Sequence, residues 1–190
     1  MLPIPAALAA LSVFVLSAPL AAELPVGARA PDFSTQTAIG GKVSAFHLRA
    51  ALRRGPVVLY FYPKAFTQGC TLEARAFAEA HDQFAAAGAT VVGMSVDDLP
   101  TLQRFSTEEC RNKFAVGVAT PAVVRAYDVA MKRDRLPPAA AARMASANIT
   151  GRTSYVIARD GRIRLVHSDL DYRDHVRLTL EAVRALRRPR

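Results

Sequence analysis

Two cysteines are the residues of this chain best suited to covalent chemistry. Cys70 and Cys110 are the only cysteines among the 190 residues. Cys70 begins a helical pattern, and Thr67 lies three residues earlier, where an N-cap side chain faces the third helical amide. Free N–H groups and the positive end of the helix dipole favour a thiolate in that first turn. A reactive thiol is therefore favoured at Cys70, with a buried small side chain and half of a structural disulfide as alternatives.

Other chemistries receive little support from the sequence. The four histidines are scattered without the spacing of metal ligands, no glycine-rich phosphate loop follows a predicted strand, and there is no Cys-x-x-Cys. We therefore predict neither a metal ion nor a nucleotide cofactor.

The elements that must position Cys70 are two strands and the helix between them. Residues 55–63 and 89–97 are continuous apolar runs, which are typical of strands buried on both faces. Between them, residues 70–88 carry apolar side chains at spacings of three and four, which predicts an amphipathic helix. Strand, helix and strand in this order predict a parallel βαβ unit.

The flanking segments complete an α/β fold. Residues 31–48 predict two strands around the Gly40-Gly41 turn, and residues 152–168 predict a hairpin around Asp160-Gly161. A helix is predicted over 100–112, carrying Cys110, and another over 171–188. The long connection 128–151 is predicted as loop, with at most one short helix. The order predicts a thioredoxin-like fold: a central mixed β-sheet flanked by helices, with an added N-terminal β-hairpin.

The N-terminal segment predicts export. Residues 1–22 carry no charged side chain, and their apolar stretch is followed by small residues, as in a secretory signal cleaved near Ala21 or Ala22. The mature domain would span residues 23–190, in the bacterial periplasm and without stable membrane insertion. A retained membrane anchor is the alternative.

The net charge of +9 does not by itself indicate a nucleic-acid site. The basic residues are dispersed, without a binding motif or an interleaved aromatic platform, which favours solvated basic faces. The clusters lie at 49–55, 131–135 and 184–190.

The segment around Cys70 resembles the active-site segment of the peroxiredoxins. "FYPKAFTQGCTLEA" (61–74) matches the P-x-x-x-[ST]-x-x-C pattern through Pro63, Thr67 and Cys70. "CTLEA" and the preceding strand are similar to the bacterioferritin-comigratory, or PrxQ, branch. The resemblance extends through "LPVGARAPDF", "VVGMSVDD" and "RTSYVIARDGRI" and so covers nearly the whole mature chain.

The resemblance implies a thiol-dependent peroxidase that reduces hydrogen peroxide and organic hydroperoxides. Cys70 would be the peroxidatic thiolate, and Thr67 would hydrogen-bond it and the peroxide. Pro63 would shield the site from water, and Arg152 would stabilise the thiolate and polarise the O–O bond. Glu73 either tunes the thiolate or merely suits the start of the helix, and the sequence leaves both interpretations open.

The chain departs from the PrxQ pattern at the resolving cysteine. Many PrxQ-like proteins carry it five residues after the peroxidatic one, where this chain has Arg75. Another branch of the family carries the resolving cysteine on the next helix, and Cys110 resembles that cysteine. This resemblance implies an intramolecular Cys70–Cys110 disulfide. We expect local unwinding around both cysteines before the bond closes.

The expected partners are a peroxide and a thioredoxin-like protein or other dithiol reductant, with the chain a monomer or weak homodimer. The alternatives are a one-cysteine peroxidase resolved by an external thiol, and a non-enzymatic exported domain in which Cys70–Cys110 is a structural disulfide.

Overall fold

The structure, a computed structural model, describes residues 23–135, 138–143 and 148–187. The predicted signal segment, residues 1–22, lies outside the described residues. None of the described helices is both long enough and apolar enough to cross a membrane.

Seven strands form one mixed β-sheet. They are β1 (Ser34–Ile39), β2 (Lys42–His47), β3 (Val57–Phe61), β4 (Thr90–Ser95), β5 (Ala115–Val118), β6 (Thr153–Ile157) and β7 (Ile163–Ser168). Their order across the sheet is β2-β1-β5-β4-β3-β6-β7. β3 pairs in parallel with β4 and antiparallel with β6, so the strand that leads to Cys70 lies inside the sheet.

Seven α-helices and one short 3-10 helix (Arg133–Arg135) accompany the sheet in the described residues. The α-helices are α1 (Leu48–Arg54), α2 (Gln68–Glu79), α3 (His81–Ala86), α4 (Leu99–Glu108), α5 (Pro121–Ala126), α6 (Pro138–Arg143) and α7 (Arg173–Ala185). Side chains of α2, α3, α4 and α7 pack in one hydrophobic cluster on the sheet, and those of α1 and α5 pack in a second.

β3 separates these two clusters. All five of its residues are buried, and its side chains alternate between the two faces of the sheet. Val58 and Tyr60 belong to the cluster with α2, whereas Val57, Leu59 and Phe61 belong to the cluster with α1. The continuous apolar run 55–63 therefore reflects burial on both faces, as predicted.

Both predicted hairpins are confirmed. β1 and β2 pair antiparallel, and both glycines of the Gly40-Gly41 turn have positive φ, 54° and 73°. Glycine adopts such angles without the steric cost that a Cβ atom brings. β6 and β7 pair antiparallel, with Gly161 at a φ of 79°. The predicted mixed sheet, flanking helices and N-terminal hairpin are all present.

The single helix predicted over 70–88 is wrong in its extent. α2 starts two residues earlier, and the helical run is broken at Ala80, whose φ of −84° and ψ of −4° separate α2 from α3. Phe77 and Phe84, one on each helix, pack in the same hydrophobic cluster. The apolar periodicity therefore continues through the break and could not reveal it.

The prediction also placed Cys110 within a helix and missed several short elements. α4 ends at Glu108, and Cys110 lies in the following turn, where its N–H donates to the Phe105 carbonyl over 3.0 Å. α1, β5 and α5 were not predicted, because four to seven residues are too few to show a clear period. The described part of the long connection holds the short helix α6, as expected, and also a 3-10 turn at Arg133–Arg135 that was not predicted.

Candidate active site

Cys70 lies in the first turn of α2, just beyond the carboxyl end of β3. Thr67 is the N-cap in extended conformation (φ −76°, ψ 149°), which makes Cys70 the third helical residue, as predicted. The N–H groups of this turn have no partner within the helix, and they give this end of the helix a partial positive charge. Cys70 is only 2% exposed, so its thiol is held inside the protein next to these groups.

Thr67 occupies the predicted position but does not cap the helix through its side chain. No side-chain cap hydrogen bond is present. Its hydroxyl instead donates to the Lys64 carbonyl oxygen over 2.9 Å. Thr67 is exposed, whereas Cys70, three residues later, is buried.

The loop between β3 and α2 is held by contacts with the next strand and helix. Pro63 is half-buried and follows the end of β3. The Ala65 N–H donates to Asp97 Oδ2 over 2.7 Å. Phe66 has a φ of 64°, which is rare for an aromatic residue, and its ring contacts that of Phe105 with 5.2 Å between centroids. These contacts fix the path by which the chain reaches Cys70.

Arg152 binds three groups at once, directly before β6. Its Nη2 donates to Cys70 Sγ over 3.6 Å, and its Nη1 donates to Glu73 Oε2. Its Nε donates to the Leu170 carbonyl oxygen over 2.9 Å. Arg152 is 5% exposed, so its positive charge acts on the thiol with little screening by water.

Gly69 makes room for the guanidinium. A Cβ atom at this position would lie 3.1 Å from Arg152 Nη2, which is closer than ordinary van der Waals contact. A side chain there would press the guanidinium away from its present place beside Cys70. The glycine is therefore part of the geometry of the site.

Glu73 shares Arg152 with Cys70. Its side chain is fully buried, and its Oε1 has no hydrogen-bond partner among the described residues. Burial raises the pKa of Glu73 to about 8, while the charge of Arg152 opposes this shift. When Glu73 is neutral, the attraction of Arg152 for a thiolate is not offset by a neighbouring carboxylate. This geometry favours a role for Glu73 in tuning the thiol, the first of the two interpretations left open above.

His175 on α7 binds the segment that holds Arg152, a role that could not be recognised in the sequence. Its Nε2 lies 2.9 Å from the Asp169 carbonyl oxygen, which can only accept, so Nε2 carries the proton. Its Nδ1 then accepts from the Ser154 hydroxyl over 2.8 Å. Burial lowers the pKa of His175 to about 4. The neutral ring therefore fixes the segment whose next carbonyl, that of Leu170, binds Arg152.

Cys110 is buried but does not join the Arg152 cluster. Both cysteines are free thiols, and Cys110 is 0% exposed. Cys70 and Cys110 belong to the same hydrophobic cluster, together with Tyr60 and Tyr62. Burial raises the pKa of the Cys110 thiol well above its ordinary value, so Cys110 is unreactive while it stays in this position.

Of the predicted site residues, the structure brings Pro63, Thr67 and Cys70 together in one loop and helix start, with Arg152 in contact with Cys70. Cys110 is held apart, without a bond to Cys70. Within the described part of the chain, no group of three His, Cys, Asp or Glu residues is placed to hold a metal ion.

Comparison with known proteins places this geometry in a family. The sequence model of the AhpC/TSA family matches residues 26–166. The chain is 42% identical over 86 residues to a peroxiredoxin bcp of Helicobacter pylori, covering 45% of this chain and 54% of that protein. The aligned segment thus spans about half the length of that relative. The chain is 29% identical over 170 residues to the chloroplastic peroxiredoxin Q of Suaeda salsa, covering 89% of this chain and 72% of that protein.

A solved structure shows the same fold. The crystal structure of peroxidoxin BcpB from Mycobacterium tuberculosis has a TM-score of 0.71 and 28% sequence identity, and it covers 86% of this chain and 98% of its own. The thioredoxin-like fold predicted from the order of elements is thereby confirmed, as is the similarity to the PrxQ branch. The relatives to which the chain is similar are peroxiredoxins of the bcp and Q type, and the chain belongs to the AhpC/TSA family.

Proposed function

We propose that the protein is a thiol-dependent peroxidase acting on hydrogen peroxide and organic hydroperoxides. The main support for this proposal is the 3.6 Å contact between Arg152 Nη2 and Cys70 Sγ at the start of a helix. In the proposed reaction the Cys70 thiolate attacks one peroxide oxygen. The O–O bond breaks, the other oxygen leaves with a proton as water or alcohol, and Cys70 becomes a sulfenic acid.

The neighbouring residues suit this reaction. Arg152 is fixed by the Leu170 carbonyl before substrate arrives, so its charge needs no rearrangement as negative charge moves to the leaving oxygen. The Thr67 hydroxyl, which donates to the Lys64 carbonyl oxygen, would exchange this partner for the peroxide. Half-buried Pro63 presents no N–H group and would shield the site from water.

For the second half of the cycle, we propose that Cys110 resolves the sulfenic acid. Its thiol would displace water from the oxidised Cys70 and form an intramolecular disulfide, which a thioredoxin-type reductant would then reduce. The presence of both cysteines in one hydrophobic cluster supports this pairing.

One observation favours a second candidate, a one-cysteine peroxidase resolved by an external thiol. Cys110 is fully buried, and burial raises its pKa. It cannot react until the surrounding segment opens locally. If that opening is too slow, an external thiol reaches Cys70 first.

Two serine variants test these proposals. Cys70→Ser should abolish peroxide consumption while the circular dichroism spectrum stays unchanged, and full activity in this variant would rule out the peroxidase. Cys110→Ser should consume one peroxide per chain and leave a dimedone-reactive sulfenic acid on Cys70. If Cys110→Ser cycles at the wild-type rate with a thioredoxin-type reductant, the one-cysteine mechanism is correct.

We also propose that the chain acts after export to the periplasm, as a monomer or weak homodimer. The support for export is the uncharged apolar segment at residues 1–22. An oxidising compartment would suit a pair of thiols that cycles through a disulfide.

A further inference from the structure

Two ion pairs join the turn that carries Cys110 to α2, the helix that carries Cys70. Arg75 Nε on α2 lies 2.7 Å from Glu109 Oε2, and Arg111 Nη1 lies 3.2 Å from Glu79 Oε1 on α2. Glu109 and Arg111 are the residues immediately before and after Cys110. The resolving thiol is therefore bracketed by two side-chain contacts to one helix.

The Arg75–Glu109 pair is the more substantial of the two. The side chain of Glu109 is 12% exposed, and that of Arg75 is 45% exposed. Removing the arginine would leave a nearly buried carboxylate without its counter-charge, which favours opening of the turn. The Arg111–Glu79 pair is more exposed, at 51% and 65%, and contributes less because water and salt screen it.

The backbone of this turn is also unusual. Arg111 and Asn112 have φ angles of 50° and 59°, which place two consecutive non-glycine residues in the left-handed region. The turn is closed by the Asn112 N–H, which donates to the Ser106 carbonyl over 3.0 Å. Because this conformation is intrinsically unfavourable, the segment depends on its contacts to remain closed.

We propose that Arg75, with Arg111, is a positioning residue for the resolving step: it holds residues 109–112 against α2 and so limits the rate at which Cys110 reaches oxidised Cys70. The inference rests on the proposed function, because it concerns the disulfide between these two cysteines. Arg75 stands where many PrxQ-like proteins carry the resolving cysteine itself. In this chain, the residue at that position of α2 would instead control how fast Cys110, on another segment, resolves the sulfenic acid.

Closure of the Cys70–Cys110 disulfide from the sulfenic acid needs no further oxidant. The Cys110 S–H bond and the Cys70 S–OH bond break, the S–S bond forms, and the proton and hydroxyl group leave as water. Before it can occur, Cys110 must leave its buried position, and both ion pairs to α2 then break. A slow opening prolongs the life of the sulfenic acid, which a second peroxide can convert to sulfinic acid.

The primary test is the rate of disulfide closure in a single turnover. Wild type and Arg75→Met are mixed with stoichiometric peroxide, quenched with acid and N-ethylmaleimide, and the Cys70–Cys110 peptide is quantified by mass spectrometry. Arg75→Met should close about two- to tenfold faster, the range expected for losing one partly buried pair. Raising NaCl from about 0.05 M to about 0.5 M should accelerate the wild type more than the variant.

A charge-swapped pair provides rescue. Arg75→Glu should close faster still, since it repels Glu109, and adding Glu109→Arg should restore a rate near that of wild type. Arg177→Met is the matched control, because Arg177 pairs with Asp174 and Glu181 within α7 alone. It should leave the closure rate unchanged.

A second readout separates this inference from the proposed function. In a Cys70→Ser background, N-ethylmaleimide labels Cys110 only when the turn opens, so Arg75→Met should label faster than its Arg75 counterpart. Absence of a Cys70–Cys110 disulfide in oxidised wild type would refute the resolving role of Cys110. The inference is overturned if the disulfide forms normally but Arg75→Met has the same closure and labelling rates as the Arg177→Met control.

Discussion

Replacing Arg152 with methionine should shift the reactivity of Cys70 to higher pH. The guanidinium Nη2 lies 3.6 Å from Sγ, which corresponds to about 4–5 kcal/mol of attraction for a thiolate at an effective dielectric constant of about 20. This value is an upper bound on the effect of the substitution. Methionine fills a similar volume without a charge.

The net effect should be smaller than this bound because water that enters beside the thiol in the variant solvates a thiolate in place of the guanidinium. Glu73 contributes little repulsion in either protein at neutral pH, because burial raises its pKa to about 8. We therefore expect alkylation of Cys70 to require a higher pH in the variant than in the wild type. Peroxide reduction at neutral pH should slow accordingly.

The assay is the pH dependence of iodoacetamide alkylation of Cys70, followed by peptide mass spectrometry. Arg173→Met is a suitable control, because Arg173 is an exposed arginine of α7 that pairs with Asp171. Thermal melts of both variants establish that the fold persists. A midpoint for Arg152→Met within about 0.3 unit of wild type would show that the 3.6 Å contact does not stabilise the thiolate.

Three further outcomes are expected. Folded Glu73 retains its proton up to a pKa of about 8, against an ordinary value of 4.5, so the free energy of unfolding of the wild type should fall by roughly 2–5 kcal/mol as pH rises through this window. Urea titrations should show a smaller fall for Glu73→Gln, and a parallel decline in both proteins would contradict this reasoning. Thr67→Val should slow peroxide reduction about 10²-fold yet leave iodoacetamide alkylation unchanged, whereas equal effects on both would indicate a purely structural hydroxyl. N-terminal sequencing of the exported protein should begin near Glu23, and recovery of an intact Met1 chain from membranes would instead support an anchor.

Local signals explain what the sequence could predict. Pro63 and Thr67 place the start of α2, and so the helix-start position of Cys70, within a few residues. The Gly40-Gly41 turn requires positive φ angles that glycine accommodates, and the structure shows them. Each of these features depends on neighbours in the chain, so no tertiary information was needed.

The support of the site could not be predicted because it depends on distant segments. Arg152 and Glu73 are 79 residues apart in the chain, and their contact requires α2 and β6 to meet. His175 acts through the carbonyl of Asp169, a backbone group that carries no sequence signal. The helix cap was mispredicted for a local reason: the Thr67 hydroxyl donates to the Lys64 carbonyl oxygen instead of accepting from a helix amide.

The separation of the core into two clusters has a consequence for the durability of the protein through repeated oxidation. Both cysteines belong to the cluster on one face of the sheet, whereas α1 and α5 pack on the other. Movement of the cysteine-bearing segments would disturb only the first cluster, while the second would keep the strands in register. Substitutions that strengthen the α1 and α5 face could therefore raise resistance to heat without slowing the motions that redox chemistry requires.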